Sequence, residues 1–423
     1  MSAVNTPDES HSAVASSAPD ALPYFDVAVV GAGIHGAGVA QACAAAGWRT
    51  LLLEQYGEAA LGTSSKSSKL IHGGLRYLEN FEFSLVRECL LERELLLQNA
   101  ADLVKLKTFL IPVYRSSKRS AFVIYCGLLL YKILTGWRAS AIFKWRSASA
   151  AKQLYPQIEA SNLVALLEYR DAQTDDRKLT EAVLRSAETF GAEVKFDFNL
   201  ARAEVSGNQY LLYREGENEP YASCRCLINA AGPWVNRVAE KVETKPAQIA
   251  VETVQGTHII LDLPAPPACI YCEAPQDGRP VFVLPWYGQT MVGTTEKLFS
   301  GDPADVAPSE EEEKYLLEVY NHCMNTAVVA NASEEINESH IVERFAGLRV
   351  LPMAAGSANK RSRDTLFVEC GLKASSANEM PGYLAIYGGK LTAYRKTAEK
   401  IQQRLRAVLG DNAGAVSTRD IRL

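Results

Sequence analysis

No run of apolar residues in this sequence is long enough to cross a bilayer, which takes about 20 in a helix. Positive charge is not in excess either: 44 lysines and arginines face 49 acidic residues, for a net charge of −5. That removes the expectation of nucleic-acid binding over the whole surface, while a local basic pocket stays open. Cysteine is present without a pattern. Nine are scattered along the chain, and an odd count at loose spacing argues against a disulfide framework. Cys269-Ile-Tyr-Cys272 stands alone, with no second pair or histidines nearby, so no metal site is expected. A reducing, cytoplasmic setting follows. Internal repeats are lacking too.

What is present is ordinary globular material. Hydrophobic residues make up 48% of 423, enough for two or three domains. Residues 1–22 are rich in Ser, Ala, Asp and Pro and have no apolar h-region. They are expected to be a disordered leader rather than a signal peptide. One segment is ambiguous. Ala121 to Trp137 (AFVIYCGLLLYKILTGW) follows Arg115, Lys118 and Arg119. Such a helix can be buried or can lie on a membrane surface. Burial is favoured slightly, and peripheral contact with the inner face of the cytoplasmic membrane stays open.

Asp26 to Val30 reads as a buried parallel strand, Gly36 to Gly47 as a helix, and Thr50 to Leu53 as a second strand ending at Glu54. Together they form a βαβ unit. Between strand and helix lies Gly31-Ala32-Gly33-Ile34-His35-Gly36. In such a GxGxxG the first glycine permits the turn, the second lets backbone approach a pyrophosphate, and the third lets helix pack on strand. Phosphates then sit at the helix N-terminus. Glu54 is placed for the adenosine ribose hydroxyls, and His35 reads as a tolerated variable position. The motif alone does not choose between FAD and NAD. Gly62 to Ser68 (GTSSKSS) offers hydroxyls that suit an extended dinucleotide and equally suit an exposed turn.

Further on, helices are expected at 85–99, 179–190, 309–323 and 392–409, with short buried strands at 226–229 and 383–387. Residues 248–295 read as an antiparallel sheet. The fold class is therefore α/β with an α+β insert. A discontinuous Rossmann-like dinucleotide-binding domain (23–95, 162–240 and 343–412) accompanies an antiparallel-sheet substrate domain (96–161 and 241–342).

Four pieces, in order, resemble the FAD-dependent glycerol-3-phosphate dehydrogenase family: GTSSKSSKLIHGGLRYLENFEFSLVRECLLERELL from Gly62, YRDAQTDDRKL from Tyr169, LINAAGPWVN from Leu227 and YGGKLTAYRKTAEK from Tyr387. The likeness spans roughly residues 25 to 405. It implies FAD as cofactor, oxidation of sn-glycerol 3-phosphate to dihydroxyacetone phosphate with hydride passing to flavin N5, and a quinone or other acceptor. By motif it places Thr63, Ser64, Ser65, Ser68, Gly232, Gly389, Leu391 and Thr392 on the flavin side. Arg76 and Tyr77 match residues lining the substrate pocket. Arg349 and Arg363 match phosphate-side arginines, Lys390 a lysine beside the substrate, and His258 a histidine near the flavin ring. A phosphate dianion asks for several guanidinium or ammonium groups. Loss of hydride requires a base for the hydroxyl proton, a near-neutral histidine or a lysine of lowered pKa. His258 and Lys390 both qualify.

Two features depart from the family. The sequence stops soon after the last motif, so either a short form without the family's C-terminal helical cap domain or a truncated chain is expected. The loop after Arg349 reads VLPMAAGSANK, where the family carries proline and then acidic residues. A related FAD enzyme acting on another small hydroxy acid or amine is the alternative. A non-enzymatic flavin-binding module is the third reading.

Overall fold

A computed structural model describes residues 22–136, 138–329, 335–353, 365–372, 380–412 and 414–423. Leader residues 1–21, and with them most of the expected leader, lie outside these, as do Arg363 and most of the divergent loop after Arg349.

The chain opens as strand β1 (Tyr24–Val30), helix α1 (Ile34–Ala45) and strand β2 (Thr50–Leu53). β1 and β2 pair in parallel, Val30 opposite Leu53. Every residue of α1 except His35 is buried. That is possible because small residues dominate it: a methyl group on Gly38 would lie 2.7 Å from the Tyr394 ring of helix Tyr394–Leu409. Gly47 ends the unit with a left-handed φ of 79°, a conformation glycine adopts without strain.

Distant segments complete this sheet. Among the described residues it has eight strands. Ala222–Asn229 pairs in parallel with β1, and Gly382–Tyr387 pairs in parallel with Ala222–Asn229. Val30, Asn229 and Ala385 thus lie in one row. The carboxyl ends of three strands far apart in sequence meet at one edge, where open α/β sheets hold ligands.

The second sheet has ten strands among the described residues. Its pairings are antiparallel except for Cys269–Glu273 against Val104–Tyr114. Three of its strands come from segments read as nucleotide-binding: Leu70–Ile71, Leu163–Thr174 and Ile341–Pro352. The long ladder between Val104–Tyr114 and Leu163–Thr174 has no counterpart in the sequence reading.

Helix α2 (Phe83–Asn99) and helix α3 (Ala121–Leu134) pack beside this sheet. The expectation that 121–137 is buried is corrected: only Ala121, Leu128 and Tyr131 of α3 are buried, while Phe122 is 68% exposed, Val123 56% and Ile133 47%. Among the described residues no helix is long and apolar enough to cross a membrane.

Candidate active site

The glycine loop is shaped by contact. Gly31 has φ 105°, and a Cβ on Gly36 would stand 1.8 Å from the Gly31 carbonyl oxygen. Gly33 begins α1 without a side-chain cap. Instead the Ile34 amide donates to Ser64 Oγ at 2.9 Å. Glu54 is 8% exposed. Its carboxylate accepts from the Ala32 amide at 2.6 Å and the Tyr56 amide at 3.0 Å. Burial raises its pKa above the ordinary value, and these amides pull against that shift. Glu54 therefore braces the loop as well as facing the cavity.

That cavity is about 1060 Å³, at the upper end of the size of small-ligand sites. Glu54, Trp234, Gly31, Ser64, Gly389 and Arg349 all line it. Its lining includes Gly33, Thr63, Ser68, Gly232, Leu391 and Thr392, together with Tyr77, His258 and Lys390. Ser65 differs: its carbonyl accepts from Lys69 Nζ at 2.6 Å, and it does not line the cavity, whereas its neighbours Ser64, Lys66 and Ser67 do. Thr63 Oγ1 donates to the Leu348 carbonyl at 2.7 Å.

The hydroxyl loop is held from outside the nucleotide sheet. Lys69 Nζ meets Asp176 Oδ1 at 2.6 Å, both side chains nearly inaccessible. Asp176 Oδ2 accepts from the Ser67 amide and hydroxyl at 2.9 and 2.6 Å. Sequence reading found neither partner. The only signal was their presence in two of the quoted motifs, 107 residues apart.

His258 is 2% exposed and stacks on Phe345 at 5.0 Å and 14°. A Cβ on Gly293 would fall 2.1 Å from its ring, so that glycine makes its room. Nε2 lies 2.9 Å from Ser68 Oγ, within hydrogen-bond reach, and Nδ1 is buried without a protein hydrogen-bond partner among the described residues. Burial first, then Lys69 and Arg349, push the imidazole down to about 3. This corrects the expectation of a near-neutral histidine.

Arg349 projects from Ile341–Pro352, and its Nη2 donates to the Thr295 carbonyl at 3.0 Å. Thr295 is itself held, its hydroxyl donating to Glu312 Oε1 at 2.6 Å. Lys390 Nζ sits 4.5 Å from the Tyr77 ring centre. Arg76 lies on the turn Leu75–Asn80, but its side chain falls outside the described residues. Two residues that sequence reading missed also face the cavity, His72 and His35. His35 packs against Gly389, where a Cβ would stand 2.1 Å from Nε2, and burial lowers its pKa to about 4.

These two histidines give a pH prediction. An unfolded histidine titrates near 6.5, whereas folded His258 and His35 titrate at about 3 and about 4. Their contribution to stability is complete above pH 6.5 and is lost as pH falls toward the folded values. The melting temperature is expected to drop between pH 6.5 and 4, and His258→Gln to flatten that drop. Equal slopes in thermal melts of the two proteins would remove His258 from the account.

The model of the family described as FAD dependent oxidoreductase matches residues 26–395. The chain belongs to the FAD-dependent oxidoreductase family. It is 38% identical over 392 residues to a glycerol-3-phosphate dehydrogenase of Pseudomonas aeruginosa, covering 92% of this chain and 73% of that protein. To a D-erythritol 1-phosphate dehydrogenase of Brucella abortus it is 32% identical, covering 92% and 75%. In fold it is similar to the glycerol-3-phosphate dehydrogenase of Bacillus halodurans complexed with FAD (TM-score 0.70, 23% identity, 95% of this chain and 68% of that one). This oxidoreductase takes FAD. Its donor set fits that group: a glycine loop in which Gly31 and Gly33 line the cavity and Gly36 has no room for a Cβ, a helix N-terminus for phosphate, and the cavity-lining residues Thr63, Ser64 and Ser68 with their hydroxyls.

Proposed function

We propose that this FAD-dependent oxidoreductase oxidises sn-glycerol 3-phosphate to dihydroxyacetone phosphate. The observation that carries the reading is a fixed guanidinium, Arg349, lining the same cavity as Lys390 and Tyr77. A phosphate is the ligand such cations recognise. The names of the relatives at 38% and 32% identity supply the polyol phosphate.

When bound, FAD supplies the acceptor for the two electrons that leave C2 as hydride. The protein's own residues do the rest. Arg349 holds the phosphate end, with Arg76, Tyr77 and Arg363 as further contacts proposed from the family motif. The C2 hydroxyl proton needs a base. His258 is poorly suited, since its Nε2 faces Ser68 and its pKa is about 3, far from the working pH that favours general-base catalysis. The role falls to Lys390, with His72 another cavity-lining group able to take it. The reduced enzyme passes its electrons to a quinone or another acceptor. The exposed apolar residues of α3, next to Arg119 and Lys132, suit peripheral contact with an anionic lipid surface.

Anaerobic glycerol 3-phosphate is expected to bleach the flavin absorbance of the purified yellow protein. A short-chain quinone should then restore the colour, and anionic liposomes should sediment the protein. D-erythritol 1-phosphate carries the same phosphate, and bleaching by it alone would move the assignment to the longer polyol. No bleaching by either phosphate would sink the reading and favour the hydroxy-acid or amine alternative.

A further inference from the structure

A chain of buried polar groups runs from the cavity to α2, and nothing in the chemistry above uses it. Tyr131 of α3 is 2% exposed, Asp171 1% and Arg93 0%. The Tyr131 hydroxyl donates to Asp171 Oδ2 at 2.6 Å and accepts from the Gly73 amide at 2.8 Å. Asp171 Oδ1 accepts from Arg93 Nη1 at 2.8 Å. Arg93 in turn reaches Glu94 Oε1 at 2.9 Å, which also accepts from Ser140 Oγ at 2.6 Å. Each group is met by the next, as buried polar groups must be.

The surroundings are apolar. Tyr131 packs with Val86 and Leu90, and a phenylalanine would fill the same space. The hydroxyl adds little to packing; it selects the position of one backbone amide. Gly73 is shaped for this contact, since a Cβ there would lie 2.6 Å from the Tyr131 hydroxyl oxygen and 2.6 Å from Leu90. The preceding amide is held as well: His72 N–H donates to Thr392 Oγ1 at 3.1 Å. Two successive amides of the His72-Gly73-Gly74 turn are thus tied by hydroxyls from two remote elements. The turn leads directly into Tyr77, whose ring lies beneath Lys390.

We propose that Tyr131 is a positioning residue: its hydroxyl, oriented by Asp171 and Arg93, holds the His72-Gly73-Gly74 turn where the phosphorylated substrate meets it. This rests on the reading that the Tyr77 and Lys390 end of the cavity takes the substrate. Without the hydroxyl the turn samples other positions, and substrate binding must select the competent one, which lowers apparent affinity by the fraction populated.

The test is Tyr131→Phe in the FAD-loaded enzyme. Hydrogen exchange of the peptide containing Gly73 is expected to quicken on the order of tenfold, the scale of one lost hydrogen bond. KM for glycerol 3-phosphate should rise roughly tenfold while kcat changes less than about threefold, with FAD content unchanged. Tyr320→Phe is the control, because it deletes a buried hydroxyl that has no hydrogen-bond partner among the described residues; it should leave exchange at Gly73 and KM as they are. Wild-type exchange at Gly73 together with wild-type KM in Tyr131→Phe would overturn the proposal. So would a parallel loss of FAD, melting temperature and kcat, which marks a purely structural role. If glycerol 3-phosphate fails to bleach the wild type, the substrate reading falls separately, and the exchange comparison still decides whether Tyr131 holds the turn.

Discussion

Arg349→Ala is expected to raise KM for glycerol 3-phosphate about a hundredfold, the scale of a lost charge-assisted fork to phosphate, and to leave FAD bound. The separation follows from where the residue is anchored. Arg349 pairs opposite Val254 in the second sheet and bonds to the Thr295 carbonyl, whereas the glycine loop belongs to the first. Arg349→Lys keeps the charge and loses the planar fork, so an intermediate rise of roughly tenfold is expected. Arg349 is also one of the charges holding the His258 imidazole low, so its removal should shift that group upward. Steady-state kinetics with the phosphorylated substrate, beside the flavin-to-protein absorbance ratio, decide the matter. An unchanged KM would take Arg349 out of the phosphate site. A lost flavin would mean that it braces the cofactor cavity instead.

The dinucleotide unit was legible because its signals are local. A short apolar run, spaced glycines, a helix of small residues and an acid at the next strand end are all read within 30 residues. The strands at 226–229 and 383–387 were legible as buried runs, and the parallel sheet that β1 begins is the natural home for such runs. The ladder of Val104–Tyr114 against Leu163–Thr174 was not, since Lys105, Lys107, Arg170 and Asp171 break its apolar pattern. Asp171 is buried only because Arg93 and Tyr131 meet it from two helices, and no local pattern announces such partners. The exposure of α3 escaped for a related reason: composition gives the apolarity of a helix but not how much of it a neighbour covers. At the site, residue types were legible and protonation was not. His258 suggested a base by its ordinary pKa, and its burial beside Phe345, with Lys69 and Arg349 near, lowers that value, which no local pattern announces.

The sharpest test of the cofactor cradle is Gly36→Ala. On helix propensity alone alanine should stabilise α1 by about 1 kcal/mol. The opposite is expected, because the new methyl carbon would stand 1.8 Å from the Gly31 carbonyl oxygen and 3.4 Å from Ala230 Cβ. Neither neighbour is a flexible side-chain end. Gly31 is backbone at a left-handed φ, and Ala230 directly follows the strand paired to β1. To relieve the clash, α1 must move off the sheet or the loop must open. Either shift displaces the amides that face the phosphates. Overpacking of this kind costs about 3 kcal/mol or more, enough to lower the melting temperature by several degrees and to leave the purified protein with little flavin. Gly127→Ala provides the contrast. It too replaces a helical glycine, yet nothing lies within 4 Å of its Cβ, so the propensity term should win and the melting temperature should rise. If Gly36→Ala retains a full complement of FAD and melts no lower than the wild type, close packing of α1 on Gly31 is not what forms the site.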